Sequence, residues 1–486
     1  MNCAPLSLRF TVLVFAFAGL LSTISRGASV RDFGAKGDGV ADDTDAIVAA
    51  VAKAADGAVE FPRGDYRITR TIEIVLRETG RLGLAGRGGA RVIMAGEGPA
   101  FRIIGSKDRG SADPVDVKPV TWEKERMPLI DALEILGANP KADGVELRQT
   151  MQPIFRSLLI RDMQYGIRFV GYNRNVVVVG CHIYHCGIGI YFDAVNLHQT
   201  IISANHISYN RQAGIKTRGG EIRNLQITGN DIEYNYDLQG TASADIWVDS
   251  SQGGSLCEGT ITGNTIQAIR SPGGANIRFV GPGGNAQQNQ HWTITGNHIS
   301  NQEVNIHLVR ARGFTITGNS FLRGLDRNIV VEESRNVIVT ANVFDPYPVD
   351  PRSTRYGTMQ GGIAISRSRN IILSSNLLSE VTCGSPTAGG AITVTESREI
   401  TLAGCQIVNP KFRGIHVDRS ANVRVTDCIV NEDPENAKML AGIELTGACP
   451  GTVVRGNSVG RGKNGDVVNH ASGAIVEATI SLVAAP

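Results

Sequence analysis

The sequence predicts an all-β chain wound into a parallel solenoid, with successive turns stacked strand on strand. Three observations carry this. A short phrase recurs: QITGNDI at 226–232, TITGNTI at 260–266, TITGNHI at 293–299 and TITGNSF at 315–321. A second kind of word falls between its copies, among them GIYFD (189–193), GIKTR (214–218), DIWVD (245–249), NIRFV (276–280) and NIHLV (305–309). These words alternate apolar and polar residues, and no helical periodicity lies between them. Glycine is abundant, 57 of 486 residues, as a chain of many tight turns requires.

In chain order, residues 1–27 read as a secretory leader. Arg9 precedes the apolar run Phe10–Leu21, and small and polar residues follow to Ala28. The run is too short to span a bilayer, which needs ~20 apolar residues. Cleavage after Gly27 places Ser25 and Gly27 at the small-residue positions; cleavage after Ala28 is the rival, and an uncleaved anchor the alternative. The expected mature chain, 28–486, is a single domain without a membrane span, secreted or periplasmic. Without Arg9 and Arg26 it carries 46 basic and 46 acidic residues, a balance that argues against a nucleic-acid binder.

Residues 28–75 are expected to cap the front end and start the first strands. Asp43-Thr44-Asp45 can open a helix with Ala46, Ile47, Ala50, Val51 and Ala54 on one face. Such a cap covers a strand edge that would otherwise aggregate. Ser106–Leu129, with Trp122, reads as a surface loop. Regular coils are expected over 155–470, and Val476–Val483 as a last strand.

The fifth letter of TITGN marks a column: Cys181, Asn205, Asn230, Asn264, Asn297, Asn319, Asn342, Asn376, Cys405, Cys428 and Asn457, in steps of 22–34 residues. A fixed minimum with variable excess is the mark of a solenoid with variable loops. Asparagine tolerates left-handed backbone, and amides stacked ~4.8 Å apart can bond into a ladder. Eleven rungs give a rod of about 50 Å. A leucine-rich repeat shares the ladder but not the missing L-x-x-L-x-L frame. The seven mature cysteines are sparse and odd in number, which excludes a disulfide scaffold; Cys405 and Cys428, on consecutive rungs, could pair. Cys181 and Cys186, with His182 and His185, give a weak zinc hint against plain packing.

DFGAKGDGVADDTDAI (32–47), the alanine-rich helix and VEFPRGDYRI (59–68) resemble the N-terminal signature of the pectate-lyase superfamily. The resemblance implies a single-stranded right-handed parallel β-helix, a fold that hosts polysaccharide lyases, hydrolases and phage tailspikes. Within it Arg63-Gly64-Asp65 reads as a turn.

Function must then come from side chains standing off the sheet. In the GIxVx words one outward column contains Tyr191, Lys216, Trp247, Arg278 and His307, then Val330 and Ala364. The next contains Asp193, Arg218, Asp249, Val280, Val309 and Glu332. Loops at Asp231–Ala244, Ser250–Gly259, Thr265–Ala275 and Gly281–His291 would wall a groove around Trp247 and Arg278. Phe344–Gly361 and Leu378–Gly389 would form a second rim. Aromatic faces beside cations suit an acidic glycan. In β-elimination, Lys216, Arg278 or His307 would take the proton beside a uronate carboxylate while the other cations neutralise it. Lys216, Arg278, His307 and Asp249 are thus the expected catalytic groups; Tyr191, Arg218, Trp247, Asp193, Asp245 and Glu332 would bind substrate. Asp193 and Asp249 could hold calcium, which lyases of the resembled family often use. Hydrolysis would draw its two carboxylates from Asp193, Asp245, Asp249 and Glu332. The NTD, GDD and GHG words of polygalacturonase-like hydrolases are missing in that order. A non-catalytic glycan-binding or adhesion rod is the third reading.

Overall fold

A computed structural model describes residues 27–110, 113–282, 289–346, 360–433 and 437–482. The expected leader lies outside the described residues except for Gly27. The chain is a parallel β-solenoid of about 17 turns.

Each regular coil holds three strands rather than the two words read from the sequence. Glu221–Thr228, Asp231–Glu233 and Ala244–Asp249 make one coil. They pair in parallel with Ser255–Thr262, Thr265–Gln267 and Ala275–Val280 of the next. The GIxVx words form the first sheet, the strands ending in TIT the second, and the short strands after the ladder position the third.

The bend between second and third sheets is made one residue earlier than expected. Gly229 and Gly263 carry the left-handed backbone, at φ 63° and 65°, which a side chain resists. The following asparagine is free to point inward and bond. From Asn205 to Asn376 each Nδ2–H donates to the next Oδ1 at 2.9–3.0 Å. The row continues to Cys405 Sγ at 3.8 Å and closes where the Cys428 amide donates to Asn457. Each such bond stabilises by roughly 1 kcal/mol, and a broken rung would leave a buried amide unpaired. Cys405 and Cys428 sit on it as free, buried thiols.

Inward alternation fills the coil with isoleucine, valine and leucine, and Phe279, Trp292 and Phe314 pack edge to face inside it. The cap is a helix, Thr44–Lys53, that buries Ile47, Ala50 and Val51 against the first coils. Asp43 does not cap it with its side chain; the carboxylate turns to the amides of Lys36 and Gly37, and Asp42 accepts from Thr44 instead. At the other end the expected last strand is two, Ile475–Val476 and Ile480–Leu482.

The described residues of Ser106–Leu129 form a folded insertion with two short helical turns, Pro114–Asp116 and Thr121–Glu125. Its buried Glu125 accepts from Ser106 and Thr121, and Trp122 is half-buried under Arg126 rather than open to solvent.

Candidate functional site

The two outward columns read from the sequence are register rows of the first sheet. Tyr191, Lys216, Trp247, Arg278, His307 and Val330 are successive strand partners. Alternation puts them outside because Ile190, Ile215, Ile246, Ile277 and Ile306 beside them are buried.

Trp247 is the centre. Lys216 Nζ lies 3.9 Å from its ring centroid and the Arg278 guanidinium 5.2 Å on the other side. Tyr191 is buried with Ile188 and Ala213, and Tyr165 and Trp247 pack on that cluster. Its ring meets Tyr165 at 4.9 Å. Burial and the Asp193 charge push the Tyr191 hydroxyl far up, so it is a neutral donor.

Four buried polar atoms on three adjacent strands have no hydrogen-bond partner among the described residues: Trp247 Nε1, Arg278 Nε, and both ring nitrogens of His307. Unpaired buried polar atoms are rare in folded chains, and such a cluster needs an explanation. Arg278 is 9% exposed and donates to the Gly273 carbonyl of the preceding loop. Desolvation, then the Arg278 charge, holds His307 down to about 4, so the imidazole is uncharged at neutral pH. Desolvation also lowers Lys216, with Arg218 and Arg278 adding to it and Asp249 opposing.

The carboxylates divide. Glu332 Oε1 is 3.9 Å from His307 Nε2, and the Asp249 carboxylate accepts only from the Ser251 amide at 2.8 Å among the described residues. Asp193 is clamped, one oxygen taken by Arg168 and the other by Arg218. That clamp leaves no free edge for calcium between Asp193 and Asp249, so these residues do not fit the ion as placed. The position of Asp245 is a correction. It stands where other coils have Gly214 or Asn276, and that position points inward at the bend. The side chain is fully buried, accepting from Asn235 and Asn276, so it cannot reach a substrate.

The walls are shorter than expected, because Ser255–Thr262, Asp231–Glu233 and Thr265–Gln267 are strands of the coil. The loop 268–274 is real and is tied down, Ser271 to Gln302 and Gly273 to Glu303. Residues 283–288 of one wall and 347–359 of the second rim lie outside the described residues. Cys181 and Cys186 are ladder residues and His182 stacks on His206. Among the described residues no three metal-binding side chains converge.

Sequence reading missed the start of the row. Glu146, 1% exposed, sits among Arg102, Arg148 and Arg168. Asp143 beside it is pushed up to about 6, by burial first. Both fall in ADGVEL (142–147), whose Gly-Val frame matches the GIxVx words and could have extended the column upstream.

Residues 27–97 match the family model described as rhamnogalacturonase A/epimerase, pectate lyase-like. Residues 134–266 match that for a right-handed β-helix region, and 273–432 that for the periplasmic copper-binding protein NosD. A stretch of 44 residues is 57% identical to alginate lyase 7 of Azotobacter vinelandii, 8% of this chain and 5% of that protein. The mannuronan C-5 epimerase AlgE6 A-module of Azotobacter vinelandii aligns over 94% of this chain and 99% of that one, at 13% identity and TM-score 0.39. The Dettilon tailspike aligns over 78% and 68%, at 16% identity and TM-score 0.46. Among the described residues no helix is long and apolar enough to cross a membrane. The chain is thus a parallel β-solenoid whose front segment matches a pectate lyase-like family model and whose coils match a right-handed β-helix model.

Proposed function

We propose that this chain is an exported enzyme, secreted or periplasmic, that cleaves an acidic, uronate-containing polysaccharide by β-elimination. The observation that carries the reading is the row Lys216–Trp247–Arg278–His307, two cations flanking one indole next to an uncharged imidazole, with four polar atoms unpaired among the described residues. The short match to an alginate lyase, the pectate lyase-like front segment and the leader-like residues 1–27 support it.

The roles follow from the charges. A sugar ring stacks against the aromatic strip and its carboxylate pairs with Arg278 and Lys216. The cation–π contact favours a charged Lys216, and an arginine stays protonated, so neither is the better base. His307 takes the proton from the carbon beside the carboxylate. The electron pair forms the new double bond as the glycosidic C–O bond breaks, and the leaving oxygen takes a proton from water. A carboxylate on Arg278 also offsets the repulsion that depresses His307, so the imidazole becomes a stronger base when substrate is bound.

Hydrolysis is disfavoured by distance. With Asp193 clamped and Asp245 buried, Asp249 and Glu332 remain, and Val280 and Val309 separate them along one row. Three strand spacings of ~4.8 Å put their backbones about 14 Å apart, so both side chains would have to lean toward each other to reach the ~6.5–9.5 Å between an acid–base pair of carboxyl groups.

The test is a digestion of pectate, rhamnogalacturonan, alginate, glycosaminoglycans and neutral glucans, with and without calcium. Reducing ends rising together with the absorbance of unsaturated uronate support the lyase. Reducing ends alone overturn it for a hydrolase, and binding without either product supports an adhesion rod.

A further inference from the structure

The corner between first and second sheets repeats a word that the site does not use: Glu333-Ser334-Arg335, Arg367-Ser368-Arg369 and Glu396-Ser397-Arg398. The serines point inward and form their own ladder, each backbone amide donating to the next hydroxyl at 3.0–3.1 Å. The residues on either side of them face solvent and behave oppositely. Before the serines, charges alternate and zip together: Glu333 with Arg310 and Arg367, and Glu396 with Arg419. After them, Arg312, Arg335, Arg369 and Arg398 are successive strand partners, all of one sign.

Arg312, Arg335 and Arg369 have no acidic partner among the described residues, and Arg398 has only Glu399 at 3.9 Å. Like charges stacked across neighbouring strands, ~4.8 Å apart, destabilise a sheet. The zipped row shows how the same corner accommodates charge when no ligand is needed. The arginines border two open clefts, of about 720 and 430 Å³. Three residues further along the strands, Ile338 and Ile372 are partner residues and stand 39% and 42% exposed.

We propose that the Arg312–Arg335–Arg369–Arg398 row is a second binding track for a linear acidic glycan. It takes carboxylates or sulfates in sequence along the rod, with the Ile338–Ile372 strip under the sugar rings. The inference rests on the proposed function for the class of polymer but not for its chemistry, since the row lies around the corner from His307. A guanidinium fork matches an oxyanion, and strand spacing is close to the rise of one sugar unit in an extended chain. Single exposed pairs contribute ~0.2–1 kcal/mol, so holding depends on several at once and weakens with salt. A single-stranded nucleic acid fits less well, because it calls for aromatic stacking platforms and neither cleft has an aromatic residue in its lining.

Native gel electrophoresis through sodium alginate or polygalacturonate tests it, with dextran and single-stranded DNA as comparisons. The full chain is expected to be retarded by a polyuronate and not by dextran. R335Q/R369Q should weaken retardation at least tenfold and R398Q less. Retardation of R335Q/R369Q equal to the unaltered chain overturns the track, as does no retardation by either polyuronate, or retardation by DNA alone. Product formation from a short uronate oligomer, read in parallel, belongs to the His307 row. Loss of one readout without the other shows which site failed.

Discussion

His307 and His416 stand on the same outward row of the same sheet, and their surroundings are opposite. Among the described residues His307 has neither ring nitrogen paired, and Trp247 and Arg278 on the same row also carry unpaired buried atoms. His416 has both nitrogens occupied. The Gly389 amide donates to Nδ1 at 3.0 Å, and Nε2 meets Thr446 Oγ1 at 3.0 Å, whose hydroxyl donates to Asp418. The accepting Nδ1 fixes the proton on Nε2. Arg413 beside it is equally committed, to Glu444 and to the carbonyls of Ser385, Pro386 and Gly389. One end of the row uses its polar groups to pin a loop. The other holds them back, at a cost of ~1–3 kcal/mol for each unpaired group, which a ligand would offset.

The sharpest way to break this contrast is to exchange the imidazole. His307→Gln should lower kcat/KM by about 10²–10⁴, the usual loss of a general base, on whichever uronate polymer is cleaved. The profile of kcat/KM against pH reports the free enzyme. Its acid limb should fall near pH 4, where His307 takes up a proton, and should vanish in the variant. A limb unchanged by the substitution would remove His307 from the chemistry.

Arg278→Ala and Lys216→Ala come next, each costing about 10²-fold or more in turnover, with Arg278→Ala also losing the bond to the Gly273 carbonyl; a chain still folded by thermal unfolding assigns the loss to the site. Full activity in both would sink the site. At the other histidine the expectation reverses. His416→Ala should lower stability by roughly 2 kcal/mol, by stranding the Gly389 amide and Thr446, while turnover stays the same. Thermal unfolding and the digestion assay on one preparation separate the two histidines.

The asparagine ladder and both outward rows were legible because the backbone repeats and the repeat fixes the register. The third strand was not: TITGNxI reads as one word, and only the left-handed residue before each asparagine divides it. Asp245 was misread for a related reason. An aspartate in a strand word reads as outward, yet its place is defined by the Gly214 and Asn276 that align with it. The commitment of Asp193 to Arg168 and Arg218 depends on rotamers, which no spacing reveals. The arginine row was in plain sight as three S-R words, but lay between the two phrases used to frame the repeat.

Asp245 gives the smallest and most specific prediction, and it extends the contrast inside the coil. Its Oδ1 takes the Asn235 amide and side chain, as an asparagine would, but its Oδ2 turns Asn276 Nδ2 backwards. The Oδ1 atoms of Asn276 and Asn305 are then both unpaired, while Asn305 itself donates onward to Asn328. In Asp245→Asn, the new Nδ2 can donate to Asn276 Oδ1, and the flipped Asn276 can donate to Asn305, completing the row. Burial raises Asp245 well above its ordinary value, so the unfolded chain ionises first. Stability of the unaltered protein therefore falls as pH rises above the unfolded value near 4. The variant should be more stable by about 1 kcal/mol at pH 7, with the gap closing on acidification as Asp245 regains its proton. Melting temperatures of the two proteins between pH 4 and 8 decide it; a gap that does not change with pH would mean the carboxylate is not what breaks the ladder.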